Sequence, residues 1–193
     1  VTVSGRILPL PEPFFVLATQ NPIEQEGTYA LPEAQLDRFM FFVEVQYPDR
    51  DEELRIARET TGTDSKTIEP KVNGEQILKY QELVERVPVP DHIYELAVDI
   101  VRATRPASDD APDFCKKLVS WGAGPRAIQY LIRGAKARAV LHGSYLVRQE
   151  DLDAVAHPVL RHRIITNFQA QAEGTDSTVI VDKLLDQFRD ASA

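Results

Sequence analysis

Residues 14–45 read FFVLATQNPIEQEGTYALPEAQLDRFMFFVEV, and this stretch decides the fold class. Two short apolar runs, residues 14–19 and 39–45, stand on either side of a polar loop. Short runs that are rich in aromatic and β-branched residues predict strands that are buried on both faces. Two such strands cannot form a stable sheet alone. We therefore expect them to be part of a larger α/β domain whose other strands precede residue 1.

A predicted hairpin comes before these strands, and predicted helices follow them. Residues 1–10, VTVSGRILPL, have apolar runs on either side of a Gly-containing turn, which is typical of a β-hairpin. After Pro48 the apolar residues recur at the period of a helix. The chain thus divides into a fragment of an α/β domain, residues 1–47, and an all-helical domain, residues 48–193. The predicted helical segments are residues 50–61, 75–87, 91–101, 113–121, 125–143, 150–160 and 178–190.

The composition argues against several functional classes. Of the 193 residues, 43% are hydrophobic, which is enough to bury a core. Asp and Glu outnumber Lys and Arg by 30 to 22, and this acidic balance argues against a nucleic-acid binder. The single cysteine, Cys115, cannot form an internal disulfide, so we expect a reducing compartment, the cytoplasm. The sequence has no run of about 18 apolar residues and predicts no membrane-spanning helix.

The motifs that hold Mg-ATP are absent from this sequence. A phosphate-binding loop needs Gly-Lys-Ser/Thr after a strand, and none of the nine glycines is followed by Lys. The dipeptide Asp51-Glu52 does not end an apolar strand, as a metal-holding acidic pair would. His157 and His162 are five residues apart, a poor spacing for two ligands on one helical face. We therefore predict no metal site and no ATP binding by this chain alone.

Two polar residues near the predicted strands are candidates for phosphate chemistry. Asn21 follows the first strand, where an amide could hold an attacking water or a γ-phosphate, although Asn-Pro is also a common turn opener. Arg38 precedes the second strand, where a guanidinium could reach the phosphate of a neighbouring subunit. The alternative for Arg38 is a surface ion pair with Asp37 or Glu33.

A third candidate begins the longest predicted helix. Arg126 follows Pro125, and a helix start favours bound anions through its free N–H groups and its dipole. The alternative is an ordinary arginine at a helix start. In the same helical part we expect Trp121 to be a packing anchor between helices and residues 161–163, Arg-His-Arg, to be solvated surface.

Together these pieces are similar to one protein family. Residues 14–39 resemble the core of MoxR-family AAA+ ATPases almost word for word. The resemblance implies that Asn21 is the sensor 1 residue, Arg38 the arginine finger, and Arg126 the sensor 2 arginine. Residues 159–165, VLRHRII, are also typical of the lid of this family.

The resemblance implies a fold, an activity and partners. The fold would be mainly α: a helical AAA+ lid domain preceded by a hairpin and two strands from an α/β P-loop ATPase core. The full-length protein would use ATP and Mg²⁺, form a hexameric ring, and remodel partner proteins, often with a von Willebrand factor A domain protein. Two alternatives stay open: a stand-alone helical adaptor without nucleotide chemistry, and a nucleic-acid motor, which the acidic balance disfavours.

The missing sheet partners also lead to an expectation about folding. The helical part should fold independently, because several of its segments have complementary apolar faces. Residues 1–47 should be exposed, swapped or disordered, because they lack their sheet partners.

Overall fold

The computed structural model describes residues 1–20, 31–61 and 69–190. The chain divides into two compact units. We call Val1–Val16 with Val43–Tyr80 the hairpin unit, and Leu17–Phe42 with Gln81–Ala193 the helical unit. These units do not follow the predicted boundary between residues 47 and 48, which remains a prediction about domains.

Helices dominate the described residues. The strands are β1 (Thr2–Val3), β2 (Arg6–Ile7), β3 (Val119–Trp121) and β4 (Ile165–Thr166). The helices are α1 (Glu33–Leu36), α2 (Arg50–Thr60), α3 (Gly74–Glu85), α4 (Asp91–Ala103), α5 (Asp113–Leu118), α6 (Pro125–Leu141), α7 (Gln149–Leu160), α8 (Phe168–Ala172) and α9 (Ser177–Asp190). In the described part of the chain, no helix is both long enough and apolar enough to span a membrane.

The hairpin unit contains the predicted hairpin, in which β1 and β2 are antiparallel. Gly5 at the turn has φ of 77°, a backbone region that glycine adopts without strain. Helix α2 begins with a capping box: Asp49 accepts from the N–H of Glu52, and the Glu52 side chain accepts from the N–H of Asp49. The hairpin prediction is confirmed, as is the prediction of a helix over residues 50–61.

The helical unit has its core between α4, α6, α7 and α9, which pack against one another. The apolar faces predicted from the helical period meet in this core, which confirms the mainly helical fold class. Cys115 is also fully buried. Core side chains without solvent exposure include Ile93, Ile100, Leu131, Leu152, Leu160, Ile180 and Leu184.

The two predicted buried strands do not form in this chain. Residues 14–19 and 39–45 contain no strand, and Phe15 and Leu17 are 82% and 81% exposed. Among the described residues, β1 pairs only with β2, and β3 only with β4. A strand gains its backbone hydrogen bonds from a neighbour, so an apolar run without such a neighbour stays irregular.

A short strand pair that the sequence analysis missed supports the start of α6. The antiparallel strands β3 and β4 place Trp121 opposite Ile165. Gly122 then passes so close to α4 that a Cβ there would lie 2.4 Å from the carbonyl oxygen of Thr104. Trp121 is 71% exposed, so the prediction that it anchors helix packing is wrong.

Candidate functional site

The structure places one candidate residue, Arg126, at the carboxylate of the residue that precedes another candidate, Arg38. Asp37 lies immediately before Arg38, and its Oδ2 accepts a hydrogen bond from Nη1 of Arg126. The third candidate, Asn21, lies outside the described residues. The network around Asp37 therefore defines the candidate site.

Arg38 stands at the end of a short helical turn. Helix α1 ends at Leu36, and the N–H groups of Arg38 and Phe39 donate to Gln35 and Leu36 at 3.1 and 3.0 Å. The hydroxyl of Tyr130, on α6, donates to the carbonyl oxygen of Arg38 at 3.0 Å. The backbone of Arg38 is thus held both by its own turn and by α6.

The side chain of Arg38 is exposed and has no hydrogen bond or ion pair to another described residue. Its alternative interpretation was a surface ion pair with Asp37 or Glu33. Asp37 instead pairs with Arg126 and Arg163, and no ion pair joins Arg38 to Glu33. The guanidinium of Arg38 is therefore available to a ligand or to a neighbouring molecule.

Residues after Arg38 pack against α6 and α7. The N–H of Phe42 donates to the carbonyl oxygen of Pro158 at 2.8 Å. On α6, a Cβ at Gly134 would lie 3.1 Å from the ring of Phe41. A side chain at position 134 would therefore push this ring away, so the glycine permits the close approach.

The centre of the network is Arg163, just beyond α7. Its side chain is only 1% exposed, and Nε donates to Oδ1 of Asp37 at 3.0 Å. Nη2 donates to the carbonyl oxygens of Asp37 and Phe39 at 2.8 and 2.5 Å, and Nη1 to that of Met40 at 3.4 Å. One planar guanidinium thus holds the residues on both sides of Arg38.

Two further contacts fix the orientation of Arg163. Nη1 donates to the carbonyl oxygen of Val159, in the last turn of α7. The guanidinium also lies over the ring of Tyr130, 5.1 Å from its centre. Burial lowers the pKa of Arg163, and the carboxylate of Asp37 opposes that shift.

His162 lies beside this network and is partly buried. Its Nε2 is 3.2 Å from the carbonyl oxygen of Phe39, and its ring stacks with Phe42 at 5.9 Å between centres. Its Nδ1 is buried and has no hydrogen-bond partner in the described part of the protein. Burial, and then the charge of Arg163, lower the pKa of His162 to about 4. A neutral ring with its proton on Nε2 suits this geometry.

Arg126 contrasts with Arg163 in exposure. It follows Pro125 in the first turn of α6, after the cap residue Gly124, and its side chain is 44% exposed. It makes one ion pair, with Asp37, and α6 has no side-chain cap on its free N–H groups. This exposed arginine at a helix start could bind an anion.

A cavity of about 400–500 Å³ opens between the residues of this network and the strand pair β3–β4. Its walls include Asp37 and Arg163 on one side and Trp121 and Gly124 on the other. The described residues contain no group of three or more His, Cys, Asp or Glu side chains that could hold a metal ion.

Arg163 is the residue that the sequence analysis missed. The prediction that residues 161–163 form solvated surface is wrong for Arg163, whose side chain is buried. A signal was present, because this basic trio stands between Val159-Leu160 and Ile164-Ile165. Charged residues inside an apolar run are buried only when they are paired, and Asp37 is the partner.

Comparison with known proteins agrees with this architecture. Residues 1–41 match the ATPase family associated with various cellular activities (AAA), and residues 113–184 match the AAA lid domain. A solved structure from Cytophaga hutchinsonii, described as a candidate ATPase, matches with a TM-score of 0.88 and 36% identity over 96% of this chain and 57% of that one.

Two curated relatives match over nearly the whole chain. The uncharacterized protein YeaC of Bacillus subtilis is 38% identical over 96% of this chain and 55% of its own length. Chaperone MoxR1 of Mycobacterium tuberculosis is 36% identical over 96% of this chain and 49% of its own length. This chain therefore spans about half the length of the curated relatives it matches.

These matches, together with the helical unit, define the chain as part of an AAA+ ATPase. Within that class the chain is a MoxR-like C-terminal region. The family predicted from residues 14–39 is confirmed.

Proposed function

We propose that this chain serves in a MoxR-type AAA+ ATPase that couples ATP hydrolysis to the remodelling or maturation of partner proteins. The observation that carries the proposal is the contrast at Arg38. Its backbone is held by hydrogen bonds from Tyr130 and Arg163, whereas its guanidinium is exposed and unpaired among the described residues. A rigid backbone with a free cationic side chain suits a group that contacts charge outside its own subunit.

In this proposal, Arg38 stabilises the negative charge that develops on the γ-phosphoryl group of ATP held by a neighbouring subunit. Subunits would form a homo-oligomeric, hexameric ring, so that each interface joins one nucleotide to one Arg38. Asn21 would orient the attacking water within its own subunit. In the full-length protein, ATP would supply the phosphoryl group, and Mg²⁺ would neutralise part of its negative charge.

Arg126 would bind phosphate oxygens and transmit the state of the nucleotide to the helical unit. Its partial exposure and its place in the first turn of α6 support this role. Because its one observed partner is Asp37, a phosphate would have to compete with that carboxylate. That phosphate would belong to the nucleotide of its own subunit or to that of the neighbouring subunit.

The partners and the location belong to the same proposal. We infer a chaperone-like role from the relative named chaperone MoxR1. A von Willebrand factor A domain protein as partner and the cytoplasm as location remain inferences from the family resemblance. The net charge of −8 argues against nucleic acid as the main partner.

The test of this function is the turnover of the full-length protein. Arg38→Ala should lower kcat by roughly 10³-fold or more while nucleotide affinity changes little, because a finger acts on the transition state. Arg38→Lys should restore little, since a point charge lacks the planar fork. Arg133→Ala is the matched control, because Arg133 is exposed on α6. A kcat near wild type in Arg38→Ala would overturn the proposal.

A second test uses this chain alone. Because Gly-Lys-Ser/Thr is absent from the sequence, isothermal titration with Mg-ATP should give no measurable heat of binding. Micromolar binding would contradict the proposal that another part of the protein supplies the phosphate-binding loop.

A further inference from the structure

We infer that Arg163 is the positioning residue for Arg38. This inference rests on the proposed function, in which Arg38 contacts the phosphate of a neighbouring subunit. The side chain of Arg163 is only 1% exposed, and its hydrogen bonds to residues 37–40 engage its guanidinium. Its effect on turnover would therefore pass entirely through the place and orientation of Arg38.

The first argument is the pattern of carbonyl groups that Arg163 binds. It donates to the carbonyl oxygens of Asp37, Phe39 and Met40, which flank Arg38, whereas the carbonyl oxygen of Arg38 accepts from Tyr130. All four carbonyl oxygens of residues 37–40 are thus bound from the helical unit. Residues 37–40 are not in a strand. The hydrogen bonds from Arg163 and Tyr130 therefore take the place of the sheet hydrogen bonds that would otherwise fix this backbone.

The second argument is chemical. A lysine at position 163 would keep the charge, but its single ammonium group could not reach the carboxylate and three carbonyls in one plane. Five N–H donors in a fixed fork are needed for this arrangement. Position 163 thus requires arginine for the directions of its N–H donors rather than for its charge.

The third argument is the shared carboxylate. Asp37 accepts from Arg163 through Oδ1 and from Arg126 through Oδ2, so one side chain joins the buried arginine to the exposed one. If Arg126 leaves Asp37 for a phosphate, Arg163 still holds Asp37 through its side chain and its carbonyl oxygen. The backbone at Arg38 would therefore keep its place while Arg126 changes partner.

The test compares Arg163→Lys with Arg138→Lys. Arg138 makes a similar ion pair with the fully buried Asp151, but it takes no part in the contacts of residues 37–42. In the chain described here, Arg163→Lys should raise the amide exchange rates of Arg38, Phe39 and Phe42 by about 10-fold or more, whereas Arg138→Lys should leave them unchanged.

The second arm measures turnover in the full-length protein. Arg163→Lys should lower kcat by roughly 10²-fold with little change in KM, because a small misplacement of a charge-stabilising group costs that much. Added to Arg38→Ala, the same substitution should lower kcat by less than about threefold more, since no guanidinium is left to position. Arg138→Lys should leave kcat near wild type in both backgrounds.

The outcomes separate the two claims. Wild-type exchange or wild-type kcat in Arg163→Lys, while Arg38→Ala is inactive, would overturn the positioning role and leave the proposed function intact. A full additional loss in the double variant would also overturn it, because Arg163 would then act independently of Arg38. A normal kcat in Arg38→Ala would overturn the proposed function itself, and with it the need for a positioning residue.

Discussion

Residues 14–17 and residues 37–42 differ in their contacts, although the sequence predicts buried strands over the overlapping stretches 14–19 and 39–45. Phe15 and Leu17 are more than four-fifths exposed and form no strand. Residues 37–42 form no strand either, but their backbone is bound by Arg163, Tyr130 and the carbonyl of Pro158. An apolar segment takes a fixed conformation only where other groups bind its backbone or cover its side chains. In the helical unit, residues 37–42 have such partners.

The largest effect on the free energy of unfolding should come from removing Arg163, which binds the backbone of residues 37–40. Arg163→Met removes one of the two donors to the half-buried Asp37 carboxylate and the Arg163 hydrogen bonds to three carbonyl oxygens, and we expect it to cost roughly 3 kcal/mol. Urea unfolding of the chain, followed by circular dichroism, measures this difference. A loss below about 0.5 kcal/mol, the range of ordinary surface substitutions, would show that the network does not hold residues 37–42 in place.

A smaller effect should appear on acidification, through His162. Its folded pKa of about 4 lies below the ordinary value of 6.5, so the unfolded chain binds more protons between these two pH values. The contribution of neutral His162 to the free energy of unfolding is therefore fully present above pH 6.5, and it is lost as the pH falls toward 4. Between pH 7 and pH 5 the loss should be about 2 kcal/mol.

The comparison that isolates this effect is His162→Gln, which keeps a donor for Phe39 but does not titrate. Other groups, among them Asp37 and Arg163, face His162 and are present in both proteins. The wild type should lose about 2 kcal/mol more than the variant between pH 7 and pH 5. Equal losses would show that His162 is protonated or solvated in the folded state.

The smallest effect should come from the first segment. Phe15→Ser and Leu17→Ser remove exposed apolar side chains, so each should change the free energy of unfolding by less than about 0.5 kcal/mol. A cost of 2 kcal/mol or more in urea unfolding would mean that these side chains are buried in the folded chain, and the contrast between the two segments would then fail.

The sequence predicted the fold where local periodicity decides it. The inward faces of α4, α6, α7 and α9 follow from apolar spacing, and the start of α6 follows from Pro125. The strand pair β3–β4 was missed because Val119–Trp121 is too short to show a period of two. The exposure of Trp121 depends on which side of that pair it faces, and spacing does not determine this.

The sequence predicted only those site residues whose role can be read from their immediate neighbours in the chain. Arg38 and Arg126 were identified from their places in the chain, and the structure pairs Arg126 with Asp37, the residue before Arg38. Arg163 was missed because its partner is 126 residues away, and no local pattern pairs residues at that separation. The role of Asn21 stays a prediction, since that residue lies outside the described part of the chain.

The central claim is that Arg38 acts on the ATP of a neighbouring subunit, and a mixing experiment in the full-length protein tests it most directly. One subunit carries Arg38→Ala with an intact phosphate-binding loop, and the other keeps Arg38 but lacks the loop lysine. Each is inactive alone, and mixing should restore part of the ATPase activity, because one interface then joins an intact loop to an intact Arg38. No recovery, with mixed rings shown to form, would contradict the claim and place Arg38 in its own subunit's site or in the fold alone.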